Sequence, residues 1–122
     1  MKFEQIVNNN KILLNLRGLN KLFDYELGKI LLTNLAITNK LVNAQNIKLN
    51  NLVAEYADVD GYDYVIKEGE KKDAYMEAYK AIFDEDIDIE SMGYKHLTER
   101  NLRDSKFDIE TLELLSALIS QN

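Results

Sequence analysis

Residues 29–60 decide the fold, and they read KILLTNLAITNKLVNAQNIKLNNLVAEYADVD. No glycine or proline interrupts this stretch, and apolar or aromatic residues recur in it at intervals of seven, at Leu35, Val42, Leu49 and Tyr56. This period is typical of one face of an α-helix, so the sequence predicts a long helix that starts near Asp24. Thr38 and Gln45 fall between these positions. The stripe is therefore not a coiled-coil seam, and we expect it to pack on a neighbouring helix.

The segment before the long helix also has helical spacing. Apolar residues follow the helical period over residues 3–19, although three consecutive asparagines interrupt them at Asn8, Asn9 and Asn10. Gly18 and Asn20 tolerate left-handed backbone and suit the end of a helix. Because the connection is short, we predict an antiparallel helical pair at the N-terminus.

The second half of the chain has a mixed pattern. Residues 62–66 are aromatic and β-branched, residues 86–90 alternate polar with apolar, and residues 94–98 resemble a further strand. Residues 71–83 return to helical spacing, and Asp108 is a suitable N-cap for a C-terminal helix. We therefore predict a single α+β domain over residues 1–122. It would combine the N-terminal helical pair, a small antiparallel sheet and a docked C-terminal helix, with Leu49, Leu112 and Leu115 among its core residues.

Composition excludes several kinds of function. The 122 residues include no cysteine, so disulfides, thiolate nucleophiles and cysteine-bound metals are absent. A net charge of −6 disfavours nucleic-acid binding, which depends on clustered Lys and Arg. The longest apolar runs have three residues, too few to span a membrane, and residues 1–7 lack the apolar stretch of a signal peptide. We expect a cytoplasmic protein.

The acidic charge is concentrated in the middle of the chain. Residues 55–90 contain thirteen acidic residues and four lysines, a balance of −9, whereas the rest contains eight acidic and eleven basic residues, a balance of +3. This asymmetry predicts a protein partner with a basic surface. We expect a monomer, with a homodimer through the long helix as the alternative.

No motif predicts an enzyme. His96 is the only histidine, and the five glycines are scattered singly, so the sequence has no phosphate-binding loop. The run from Asp58 to Asp63 superficially resembles a calcium loop, but its glycine stands at the fourth position rather than the sixth. We predict no catalytic residue, no metal ligand and no cofactor. One alternative is a metal-dependent enzyme built on the carboxylates of residues 84–90.

The candidate partner-binding residues lie in the acidic part of the chain. On an alternating strand, four carboxylates would project from one face: Asp84, Asp86, Asp88 and Glu90. Further acidic and aromatic candidates are Asp60, Asp63, Tyr62, Tyr64 and Tyr75. The alternatives are an acidic face that only faces solvent and tyrosines that pack in the core.

The order of elements resembles a known group of proteins. An N-terminal helical pair, an acidic turn at residues 58–61, a helix ending near Phe83, a short strand at residues 87–89 and a closing helix occur in that order. This order resembles uncharacterised small proteins of phages and prophages of low-GC Gram-positive bacteria, a family of unknown function. The resemblance implies a phage protein in the bacterial cytoplasm, acting as an inhibitor of a host or defence protein. A phage assembly factor or virion component is the alternative.

Overall fold

The computed structural model describes residues 1–60, 63–66, 69–103 and 105–120. Most of these residues lie in four α-helices: α1 (Phe3–Gly18), α2 (Tyr25–Tyr56), α3 (Glu70–Phe83) and α4 (Ile109–Ser120). Two short 3-10 turns separate α3 from α4, at Glu90–Met92 and Glu99–Leu102. The only strands among the described residues are β1 (Asp58–Asp60) and β2 (Asp63–Val65), which pair as an antiparallel hairpin. The protein is therefore an all-α fold, and the predicted α+β class is wrong.

Side-chain caps start two of the helices. Asp24 accepts a hydrogen bond from the backbone N–H of Leu27 at 2.9 Å and so caps α2. Asp108 accepts from the backbone N–H of Thr111 at 2.8 Å at the start of α4, which confirms the predicted N-cap. Asn20 has a φ of 54° just after α1 and so occupies the left-handed region, as the sequence predicted for this turn.

The segment predicted as a strand at residues 86–90 is irregular. Its one bridge joins Asp86 to Lys2, and the chain then turns into the 3-10 segment Glu90–Met92. Ile89 is fully buried and Ile87 is half-buried, so the alternating pattern reflects apolar side chains that fill a gap between helices. Backbone bonds to the first residues of the chain replace a sheet ladder, from Phe3 N–H to the Glu85 carbonyl and from Ile87 N–H to the Met1 carbonyl, both 2.9 Å.

Residues 94–98 also belong to no strand among the described residues. Tyr94 and Leu97 are buried in the core, and a side chain of α2 binds the backbone between them. Asn34 donates to the Lys95 carbonyl at 2.7 Å and accepts from the Lys95 N–H at 3.0 Å. The side-chain amide of Asn34 thus makes the backbone hydrogen bonds that a neighbouring strand would make in a sheet.

Two hydrophobic clusters form the core. The leucine cluster joins α1, α2 and α4 and contains Leu13, Leu16, Leu27, Leu31, Leu35, Leu97, Leu115 and Leu118. The Phe3 cluster lies where α1, α2, α3 and residues 87–94 meet and contains Phe3, Ile6, Ile89 and Tyr94. Leu31 and Leu35 of α2 share this cluster with Leu13 and Leu16 of α1, so the expected packing of the long helix on a neighbouring helix is confirmed for this part of α2.

The rest of the predicted α2 stripe is less buried. Val42 and Leu49 of the stripe and nearby Leu52 are only half-buried, whereas the polar residues Thr38 and Gln45 are almost inaccessible, at 0% and 4% exposure. In α4, Leu112 is 44% exposed, so its predicted place in the core is wrong.

Asparagines from the predicted interruption of the first helix lie inside the protein. Asn9 donates to the Tyr94 hydroxyl at 3.0 Å. Asn10 donates to the Thr38 hydroxyl at 3.0 Å and to the Asn39 side chain at 2.7 Å. The helix therefore continues through these residues, and the Asn10 amide forms, with Thr38 and Asn39, a polar layer between α1 and α2.

Candidate protein-binding surface

A row of aromatic rings, here called the aromatic row, attaches α3 to the two helices beside it. Ring centroids are 6.2 Å apart for Tyr56 and Tyr75, and 5.9 Å apart for Tyr75 and Tyr79. The row continues from Tyr79 to Phe83 at 4.8 Å and from Phe83 to Phe3 at 5.3 Å. It therefore joins the end of α2 to the start of α1, with the edge and tilted ring contacts that aromatic pairs prefer.

An open groove of about 670 Å³ lies between α1 and α3. Its apolar lining consists of Val7 from α1 and of Met76, Tyr79 and Phe83 from α3. Met76 is 51% exposed and Tyr79 is 38% exposed, and α3 has no fully buried residue. The helix thus presents to solvent the kind of side chains that anchor protein interfaces.

Charged side chains surround this groove. Glu4 and Lys11 come from α1, and Glu77, Lys80 and Asp84 come from α3 and its C-terminal end. All five are exposed, and no ion pair joins any of them to the described residues. Their charges are available to a partner because no ion pair within the described part of the chain neutralises them.

The predicted row of carboxylates does not exist as one face, because residues 86–90 are not a strand. Asp84 lies at the C-terminal cap of α3 and lines the groove. Asp86 is 84% exposed and lies 3.2 Å from the Met1 amine. Asp88 lies just before the 3-10 turn, and its backbone carbonyl accepts from the Ser91 hydroxyl at 2.8 Å.

Glu90 is paired with the only histidine. Its carboxylate lies 2.7 Å from His96 Nε2, and this hydrogen bond holds the pKa of Glu90 below its usual value. The His96 ring packs edge-on against Tyr94, with centroids 5.2 Å apart. Of the four predicted carboxylates, only Asp84 therefore contributes to the groove.

The aromatic and hairpin candidates divide into two groups. Tyr75 is half-buried inside the aromatic row, so it supports α3 rather than lining the groove. Tyr62 lies outside the described residues, as do the side chains of Asp60, Asp63 and Tyr64.

Sequence reasoning missed the apolar lining of the groove. Met76, Tyr79 and Phe83 are spaced by three and four residues, so they share one side of α3, and Tyr75 is next to that side. Apolar residues thus cover more of the α3 surface than packing against one neighbouring helix requires. That coverage was the signal available in the sequence.

Other functional sites receive no direct support. Within the described ranges, no group of three or more acidic or histidine side chains could hold a metal ion. No described helix combines the length and hydrophobicity needed to cross a bilayer. No protein-family model matches the chain, and neither curated proteins nor solved structures gave a match.

Proposed function

We propose that this protein is a non-enzymatic binding protein that engages a basic surface of another protein through α3 and the groove beside it. The observation that carries this proposal is the exposure of Met76 and Tyr79 within the most acidic part of the chain. An apolar contact surrounded by unpaired charges is the usual arrangement of a protein interface, in which a dry centre is surrounded by a polar rim.

The resemblance to small phage proteins supports a more specific form of the proposal. In that form the protein acts in the bacterial cytoplasm and inhibits a host or defence protein by covering its basic surface. The local charge of −9 over residues 55–90 supports this role, because acidic groups steer a basic partner into contact.

The test is a pull-down from bacterial lysate with the wild-type chain, followed by kinetic binding measurements on the retained protein. We expect a basic bacterial protein whose association rate falls steeply with added salt. The double variant Glu77→Gln, Asp84→Asn should weaken this complex, because it removes two unpaired carboxylates at the groove. The control variant Glu110→Gln, Glu113→Gln removes two exposed charges from α4 and should bind like wild type.

Two results would contradict this function. Equal affinity of both double variants across salt concentrations would show that the groove charges do not contribute to binding. Retention of tail or capsid proteins alone would favour the assembly role instead of inhibition.

A further inference from the structure

The apolar residues that line the groove recur with the helical period and extend over two helical turns. Met76 and Phe83 are seven residues apart on α3, which corresponds to about 10 Å along the axis. Glu4 and Lys11 are separated by the same seven residues on α1. Both walls of the groove therefore run for about two turns with side chains repeating every three or four residues.

The charges differ along the groove. Glu4 and Asp84 lie at the end where Phe3 meets Phe83, whereas Lys80 lies one turn before Asp84 on α3 and Lys11 lies two turns further along α1. Neither carboxylate has an ion-pair partner among the described residues. A ligand that lies along the groove is therefore complementary when it places a positive charge beside these two acids.

We infer that the groove binds an amphipathic helix of the partner protein, with a lysine or arginine of that helix against Glu4 and Asp84. Apolar residues of the helix, three or four positions apart, lie over Val7, Met76 and Tyr79. The groove's volume of about 670 Å³ lies within the range of about 300–1,000 Å³ that is typical of ligand pockets, so it has room for the anchoring side chains of one helix. This inference rests on the proposed function and names the partner element that the groove recognises.

The test uses a display library of amphipathic helical peptides, each about four turns long, selected on the immobilised full chain. We expect selected peptides to share apolar residues three or four positions apart and a basic residue beside them. Met76→Glu should weaken their binding about tenfold or more, because it puts a charge into the apolar lining. Met92→Glu is the matched control, since Met92 is 38% exposed and lies outside the groove.

A charge exchange tests the orientation. Asp84→Lys should weaken the selected peptides, and replacing their basic residue by Glu should restore binding to this variant. No enrichment of helical peptides, or equal binding to wild type and Met76→Glu, would overturn the inference. A self-associated chain in sedimentation that dissociates with Met76→Glu would also overturn it, by assigning the groove to a second copy.

These outcomes are separable from failure of the proposed function. If a basic protein is retained from lysate in a manner that depends on Glu77 and Asp84 while no peptide binds, the binding function remains and the helix is wrong. If peptides bind as expected and no basic protein is retained, the groove is correctly described and the proposed basic partner is wrong.

Discussion

Replacement of Asn34 by Ala tests the polar contact that fixes residues 94–98 to α2. Asn34 is 1% exposed, and its amide makes two bonds to the backbone of Lys95, at 2.7 and 3.0 Å. Each backbone group left without a partner costs about 1–2 kcal/mol, so we expect a loss of about 2–4 kcal/mol in the free energy of unfolding. This loss is a large part of the total free energy of unfolding of a typical domain, which is about 5–15 kcal/mol.

The assay is urea unfolding followed by circular dichroism. With an m value of about 1–2 kcal/mol per molar urea, a loss of about 3 kcal/mol lowers the midpoint by about 1.5–3 M. Asn46→Ala is the matched control, because Asn46 is an exposed asparagine on the same helix and gains the same helix propensity.

A third variant separates the hydrogen bonds from side-chain volume. Asn34→Leu fills similar space but cannot bond to Lys95, so it should also lose about 2 kcal/mol or more. If Asn34→Ala is no less stable than Asn46→Ala, the two backbone groups do not depend on Asn34. If only the alanine variant is unstable, the volume of the side chain matters and its hydrogen bonds do not.

Three further substitutions test the core and the start of α4. Tyr94→Phe should lose about 1–3 kcal/mol in urea unfolding, because it leaves the amide of fully buried Asn9 with only the weak Met1 sulfur acceptor at 3.7 Å; an unchanged midpoint would contradict this. Leu115→Ala should lose about 2–5 kcal/mol, because its side chain is 0% exposed, and a loss below about 1 kcal/mol would show that α4 is not docked as described. Asp108→Asn should lower the melting temperature at neutral pH, because the Lys21 ammonium and the α4 N-terminus hold the pKa of Asp108 well below its usual value. This stabilisation is present above the unfolded pKa of about 3.9 and is lost as pH falls, so the melting curves of variant and wild type should converge in acid; a constant difference would exclude this cause.

The helices could be predicted because their signals are local. The period of the long helix, the Asp108 cap and the spacing of residues 71–83 depend on neighbours a few positions apart, and all three correspond to helices in the structure. The strand at residues 86–90 could not be distinguished in this way. Alternation over five residues arises equally from a strand and from an irregular segment that buries Ile87 and Ile89 between helices.

Burial along α2 depends on partners that the sequence does not specify. Leu49 satisfies the heptad pattern but is only half-buried and belongs to neither hydrophobic cluster. Leu49→Ala should therefore lower the free energy of unfolding by less than Leu115→Ala does. A fully buried leucine would lose about 2–5 kcal/mol.

The candidate site was predicted only in part. Asp84 lies at the exposed groove, but the common face of four carboxylates depended on a strand that does not form. Asp86 and Glu90 instead pair with groups distant in sequence or across a turn, and no spacing rule gives such pairs. The groove requires α1 and α3 to meet, which is a property of the tertiary structure.

The polar layer between α1 and α2 has a consequence for the alignment of these helices during folding. If α1 slid along α2 by one turn, Asn10 would lose the groups of Thr38 and Asn39 that it binds, and its amide would be buried among leucines. Leucine contacts alone would tolerate such a shift, because leucines recur on both helices. The buried amides therefore select a single register, and misaligned compact states are disfavoured by the hydrogen bonds that they cannot make.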